Sequence, residues 1–296
     1  MNTEKTNYWK HATLVLILVL TLVSVDYITG SDGTFGGARN ASDVQGLATA
    51  VIPEDGVTLP IHWGNLGARM VETGVIDKDA FEELYAGRGG MSEEMKAMIS
   101  NDYQEQIVMN QGNSGELLNL LWAFGLSNKN PILESPEDMQ NPDYGGAGNF
   151  ASTGGWTIAR GDAMKHYGAH SFVSLSTEQQ DLVERVSQNI YRPCCGNSTH
   201  FPDCNHGMAM LGLLELLAYE GLSESEMYDV ALAVNSYWFP ETYMTLATYF
   251  ENKGTKWDEV DSKLALSADY SSGPGYQRLL QEVQPIPSSG WGGCSA

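Results

Sequence analysis

Positive charge is scarce in this chain of 296 residues. Sixteen lysines and arginines stand against 37 aspartates and glutamates, a formal net charge of −21. That balance excludes nucleic-acid binding, which needs basic surface to displace the counterions condensed on phosphates. It also excludes peripheral docking on anionic lipid. Strand-like alternation is missing as well, and no internal repeat is present. Three motifs are absent: the Cys-x-x-Cys-His of covalent haem, a phosphate-binding glycine loop and a Gly-x-Ser-x-Gly nucleophile elbow. Cysteine is rare, with four in the chain, yet three of them fall between positions 194 and 204.

The first feature the chain does have is an apolar run at its N-terminus. Residues 12–25 (ATLVLILVLTLVSV) carry no charge, with Lys5 and Lys10 before them and Asp26 after. A bilayer span needs about 20 residues. Snorkelling of Lys10, with Trp9, Tyr27 and Ile28 at the interfaces, extends the usable segment to residues 9–28. No small-x-small cleavage site follows, so the segment is read as an uncleaved signal anchor rather than a signal peptide. The positive residues stay inside, which makes this a single-pass cell-membrane protein with its body on the extracytoplasmic side. The cysteines then lie in an oxidising compartment.

The expected organisation has four parts: an anchor over residues 1–30, a flexible glycine-rich lead-in over 31–60, a helical Cys/His-containing domain over 61–284, and a flexible Gly/Ser-rich tail over 285–296. The fold class is mainly α, an irregular multi-helix globular domain with long Gly/Pro-rich loops, preceded by one transmembrane helix. Asn65, Asp77 and Ser92 are candidate helix caps. Ser176-x-x-Gln179 and Ser223-x-x-Glu226 are capping boxes ahead of apolar residues at helical spacing. Residues 115–126 are apolar almost all round, which predicts a central buried helix, and residues 205–219 predict a second, strongly apolar helix. Residues 127–155 predict a long irregular loop. Residues 156–170 read as a helix that sets His166 and His170 on one face, a spacing metal sites use and packing histidines share.

The chemistry concentrates in Arg192-Pro-Cys-Cys-Gly-Asn-Ser-Thr-His-Phe-Pro-Asp-Cys-Asn-His-Gly207, a Cys-Cys-x8-Cys-x-His pattern. Three readings stay open. In the first, Cys194, Cys195, Cys204 and His206, with His200 as a further donor, bind zinc or copper, for metal handling or structure. Thiolates and imidazole suit those ions, and Cys204 at a helix start gains thiolate character from the dipole. Neighbouring side chains diverge, so Cys194 and Cys195 are not both required on one ion. In the second, the cysteines pair as disulfides in a surface or interaction protein without metal, with Cys294 a further partner. In the third, a thiolate is an enzyme nucleophile with His206 or His200 as base.

The Pro-Cys-Cys…Cys-x-His stretch resembles a family of prokaryotic, N-terminally anchored proteins. The phrases GGAGNFASTGGW (residues 145–156) and NSYWFP (residues 235–240) are similar to that family too. The resemblance implies architecture and localisation and no reaction.

Overall fold

The computed structural model describes residues 41–284; the expected anchor and tail lie outside the described residues. The protein is mainly helical, and its organising contact is a helix pair. Helix α1 spans Ala41–Val51 and strand β1 Val57–Leu59. Helices α2 (Leu66–Thr73), α3 (Lys78–Ala86) and α4 (Glu93–Ser100) follow. Strand β2 (Ile107–Met109) then leads into α5, Ser114–Ser127. After a long irregular stretch come α6 (Thr177–Ser187), α7 (Asn205–Tyr219), α8 (Glu224–Trp238) and α9 (Pro240–Asn252). Three short helices close the described chain: α10 (Ser262–Ala265), α11 (Ala268–Ser271) and α12 (Gly273–Leu279).

Helices α5 and α7 are buried on nearly every face, as their unbroken apolar composition requires. They meet at two glycines. A β-carbon on Gly125 would lie 2.2 Å from the Met208 carbonyl oxygen, and one on Gly212 2.6 Å from that of Leu121. The two backbones therefore touch, and this contact fixes where α7, and the Cys204 that caps it, sits in the core. Glu215 on α7 is fully buried and accepts a 2.6 Å hydrogen bond from Asn128 Nδ2 just beyond α5.

The capping chemistry reads through directly. Asp77 and Ser92 cap α3 and α4 with their side chains, and both capping boxes are formed in full, at Ser176/Gln179 and Ser223/Glu226. Asn65 makes no side-chain cap bond, although Gly74 ends α2 in the left-handed region as expected.

Three expectations are corrected. Residues 31–60 do not form a loose lead-in over their described part: Leu47, Ala48, Val51 and Ile52 of α1 enter the core. Residues 57–59 pair antiparallel with β2, Val57 opposite Met109 and Leu59 opposite Ile107. Three-residue strands are too short to show an alternating pattern, so the sequence concealed them. Residues 156–170 are not a helix but turns around one 3₁₀ segment, Ala163–Lys165. Gly161 and Gly168 both take positive φ, which breaks the ladder on either side. Helix α6 ends at Ser187, and Tyr191 N–H donates to the Leu266 carbonyl. Among the described residues no helix is long and apolar enough to cross a membrane.

Candidate metal centre

The centre is a loop tied down from several sides. Beyond α6, Thr199 turns back on Ile190, its N–H and hydroxyl both donating to the Ile190 carbonyl at 2.8 and 3.0 Å. His200 N–H donates to the Ser187 carbonyl. The Asp203 carbonyl accepts from Ser152 N–H at 3.1 Å, and the Cys195 carbonyl from Gly273 N–H, at the start of α12, at 2.7 Å. The loop then enters α7 with Cys204 as the N-cap, its sulfur accepting from Gly207 N–H at 3.4 Å.

At the middle of the loop lies Arg192, with 1% of its side chain exposed. Its guanidinium distributes its donors around one ring of acceptors. Nε donates to Cys204 Sγ at 3.0 Å, Nη1 to the Asn197 carbonyl at 2.9 Å, and Nη2 to the Phe201 carbonyl at 3.2 Å and to Asp203 Oδ1 at 2.7 Å. Asn197 Nδ2 holds the other Asp203 oxygen at 2.9 Å. A buried cation survives only when so paired and bonded. The fork fits because α7 carries glycine at 207: a β-carbon there would lie 2.5 Å from Arg192 Cζ.

This frame gathers three sulfurs. Cys194, Cys195 and Cys204 bring their Sγ atoms within 4.8 Å of one another, and Cys194 and Cys204 stand 3.7 Å apart. All three are free thiols, and no two sulfurs among the described residues are at bonding distance. The adjacent Cys194 and Cys195, expected to diverge, both turn inward to one point. Cys194 is the exposed member.

The three are electrostatically unequal. Hydrogen bonds from Cys194 and Cys195, followed by the Arg192 cation, hold the Cys204 thiol far below its ordinary range despite burial. Cys194 is pushed far up, because it gives its proton toward Cys195 and Cys204. Cys195 is drawn down by Cys194, but its hydrogen bond to Cys204 and its burial outweigh that and raise it. Of the three, Cys204 is therefore the sulfur most disposed to carry the thiolate charge, beside Cys194, Cys195 and the Arg192 guanidinium.

Neither histidine of the motif joins the sulfurs. His206 is buried against Phe239 and Trp238, ring centroids 4.5 and 5.7 Å away, with Nε2 unpartnered. Burial lowers its pKa to about 4, with Cys204 opposing and Arg192 adding. His200 faces another way: Nδ1 lies 3.3 Å from Ser187 Oγ and 3.3 Å from Glu184 Oε2, and Nε2 3.8 Å from Asp138 Oδ2. His166 and His170 do meet, Nδ1 to Nε2 at 3.1 Å, through a turn rather than a helix face, and no third ligand group gathers around them among the described residues.

Arg192, Asn197, Asp203 and Gly207 frame the three cysteines, and the spacing of cysteines and histidines does not reveal them. Only the oddity of a glycine in the first turn of an otherwise apolar helix signals one of them. Comparison with family models, with curated proteins and with solved structures finds no match.

Proposed function

We propose that this protein binds one thiophilic metal ion, zinc or copper, through Cys194, Cys195 and Cys204, and serves to acquire, store or deliver that metal. The observation that carries the reading is the convergence of three sulfurs within 4.8 Å, with Cys194 and Cys204 3.7 Å apart. Zinc–sulfur bonds of about 2.3 Å in a tetrahedron set sulfurs about 3.8 Å apart, whereas a disulfide needs about 2 Å. The Cys204 thiolate gives an incoming cation its first anionic ligand, and each thiol that then binds surrenders its proton. Arg192 offsets part of the charge that three thiolates collect.

The site suits metal handling because Cys194 leaves it open to solvent, a route for exchange that a closed structural site lacks. The apolar N-terminal run, and the resemblance to anchored prokaryotic proteins, support placing this centre outside the cytoplasm on a membrane anchor. The reading with disulfides and no metal has less support, since the thiols are free and the frame around Arg192 serves a thiolate.

Elemental analysis of the full chain purified without chelator tests this: about one zinc or copper per chain is expected. Absence of metal, together with failure to take up added zinc or copper(I), overturns it.

A further inference from the structure

We propose that Cys194 and Cys204 are a redox pair within this centre: a small soluble disulfide oxidises them to one internal disulfide, and the metal leaves. The inference rests on the metal-binding reading above and adds the step that releases the ion. Cys194 is the exposed member of the three, and its Sγ stands 3.7 Å from that of Cys204. A disulfide bond is about 2.0 Å long, so the two sulfurs close by about 1.7 Å to form one. Cys204 Sγ is held by Arg192 Nε at 3.0 Å and by Gly207 N–H at 3.4 Å. Cys195 is fixed to other partners. Its N–H donates to the Arg192 carbonyl at 3.4 Å, and its carbonyl accepts from Gly273 N–H at 2.7 Å. Its Sγ lies 3.9 Å from the Asn197 carbonyl oxygen and 4.0 Å from Asp203 Oδ1. A bond between the adjacent Cys194 and Cys195 is disfavoured by the chain itself, since consecutive α-carbons stand about 3.8 Å apart and a disulfide usually spans about 4.4–6.8 Å.

The exposed sulfur is the one that a soluble disulfide, RSSR, can reach. Cys194 Sγ leaves the metal as a thiolate and attacks one sulfur of RSSR. A bond forms between Cys194 Sγ and that sulfur, the RS–SR bond breaks, and RS⁻ departs. Cys204 Sγ then leaves the metal and attacks Cys194 Sγ, forming the internal disulfide and expelling the second RS⁻. The two cysteine thiolates give up two electrons, RSSR takes them, and the ion keeps its oxidation state. Two of the three sulfurs that held the ion are then consumed, and a disulfide sulfur is no longer an anionic ligand. The metal departs, and reduction of the pair restores the site. The extracytoplasmic placement proposed above sets the centre where disulfides persist.

The full chain loaded with zinc(II) and treated with bis(2-hydroxyethyl) disulfide tests the proposal. A chromogenic chelator should register about one zinc per chain, released only after the disulfide is added. Non-reducing proteolysis on the N-terminal side of Asp203 should leave Cys204 joined to the peptide that carries Cys194 and Cys195, and fragmentation should place the bond at Cys194. Reduction with a phosphine and fresh zinc should restore about one zinc per chain. Zinc retained in the presence of the disulfide overturns the release step while leaving the three-sulfur centre standing. A chain that takes up no zinc at the outset overturns the centre itself. Release with Cys204 joined to Cys195 or Cys294, or with the small thiol left as an adduct on Cys194, overturns the pair.

Discussion

The guanidinium of Arg192 rests on the bare Cα of Gly207, so close that a β-carbon there would lie 2.5 Å from both Cζ and Nη2. The two residues are a single fitting. Glycine at 207 gives the buried arginine its berth on the first turn of α7, and the arginine in turn holds Cys204, Asn197, Phe201 and Asp203 in place. Mid-helix glycine normally costs about 1 kcal/mol relative to alanine. Gly207→Ala should reverse that sign and destabilise by about 1–3 kcal/mol through overpacking. Metal affinity should fall with it, because the displaced fork releases Cys204. Denaturant unfolding and a zinc competition titration check both effects, and a stabilised Gly207→Ala that binds zinc normally would contradict the fitting. Arg192→Lys should fail similarly, since an ammonium has no planar fork to span four acceptors.

The placement of His206 separates ligand from neighbour. Cys204→Ser should reduce bound metal from about one per chain to near zero, because it removes the anionic ligand that the whole loop prepares. His206→Leu should leave the stoichiometry unchanged. It should also be neutral or stabilising, because the Nε2 atom it removes is buried without a partner among aromatic rings. If His206→Leu loses metal as fully as Cys204→Ser, the imidazole is a ligand after all.

The helices were legible from the sequence wherever a local signal decides them. The capping boxes at Ser176 and Ser223 and the apolar run of α7 each act within a few residues. The signal failed where distant partners decide. Strand β1 forms because β2 lies opposite, and the helix expected at 156–170 yields to Gly161 and Gly168. The cysteines of the centre were legible by their spacing. Its histidines do not meet the sulfurs, because nearness in sequence does not tell which way a side chain leaves a helix start: His206 turns to Phe239, and His200 to Glu184 and Asp138. Arg192 was hidden because nothing local marks a buried cation.

The crossing of α5 and α7 transmits stability to the centre. A β-carbon at Gly125 would strike the Met208 carbonyl at 2.2 Å, and Met208 N–H is bonded to the Cys204 carbonyl at 3.0 Å. Gly125→Ala must therefore part the two helices and shift the N-cap that bears the thiolate. A loss of about 1–3 kcal/mol is expected, a fall of several degrees in Tm, with weakened zinc binding. Gly87→Ala is the control, because its φ is −76° and a β-carbon there meets nothing within 4 Å. Equal melting of the two variants would show that the crossing tolerates a side chain.

Glu215 gives α7 a pH dependence of its own. Burial pushes its carboxyl up to about 8, against the opposing hydrogen bond from Asn128. Oε1 has no partner. The sign follows from proton counts. The ordinary carboxyl value is 4.5, so between there and about 8 the folded protein holds a proton that the unfolded chain has released. Stability from this group is therefore fully present below 4.5, falls as pH rises through the window, and levels off above about 8. The limiting slope is about 1.4 kcal/mol per pH unit. Glu215→Gln keeps an acceptor for Asn128 and removes the titration. The difference in unfolding free energy between wild type and Glu215→Gln should therefore move in favour of the variant from about pH 5 to about pH 9. A difference that stays constant across that range would mean the carboxyl is ionised inside the fold at neutral pH, with a counter-charge that the described residues do not supply.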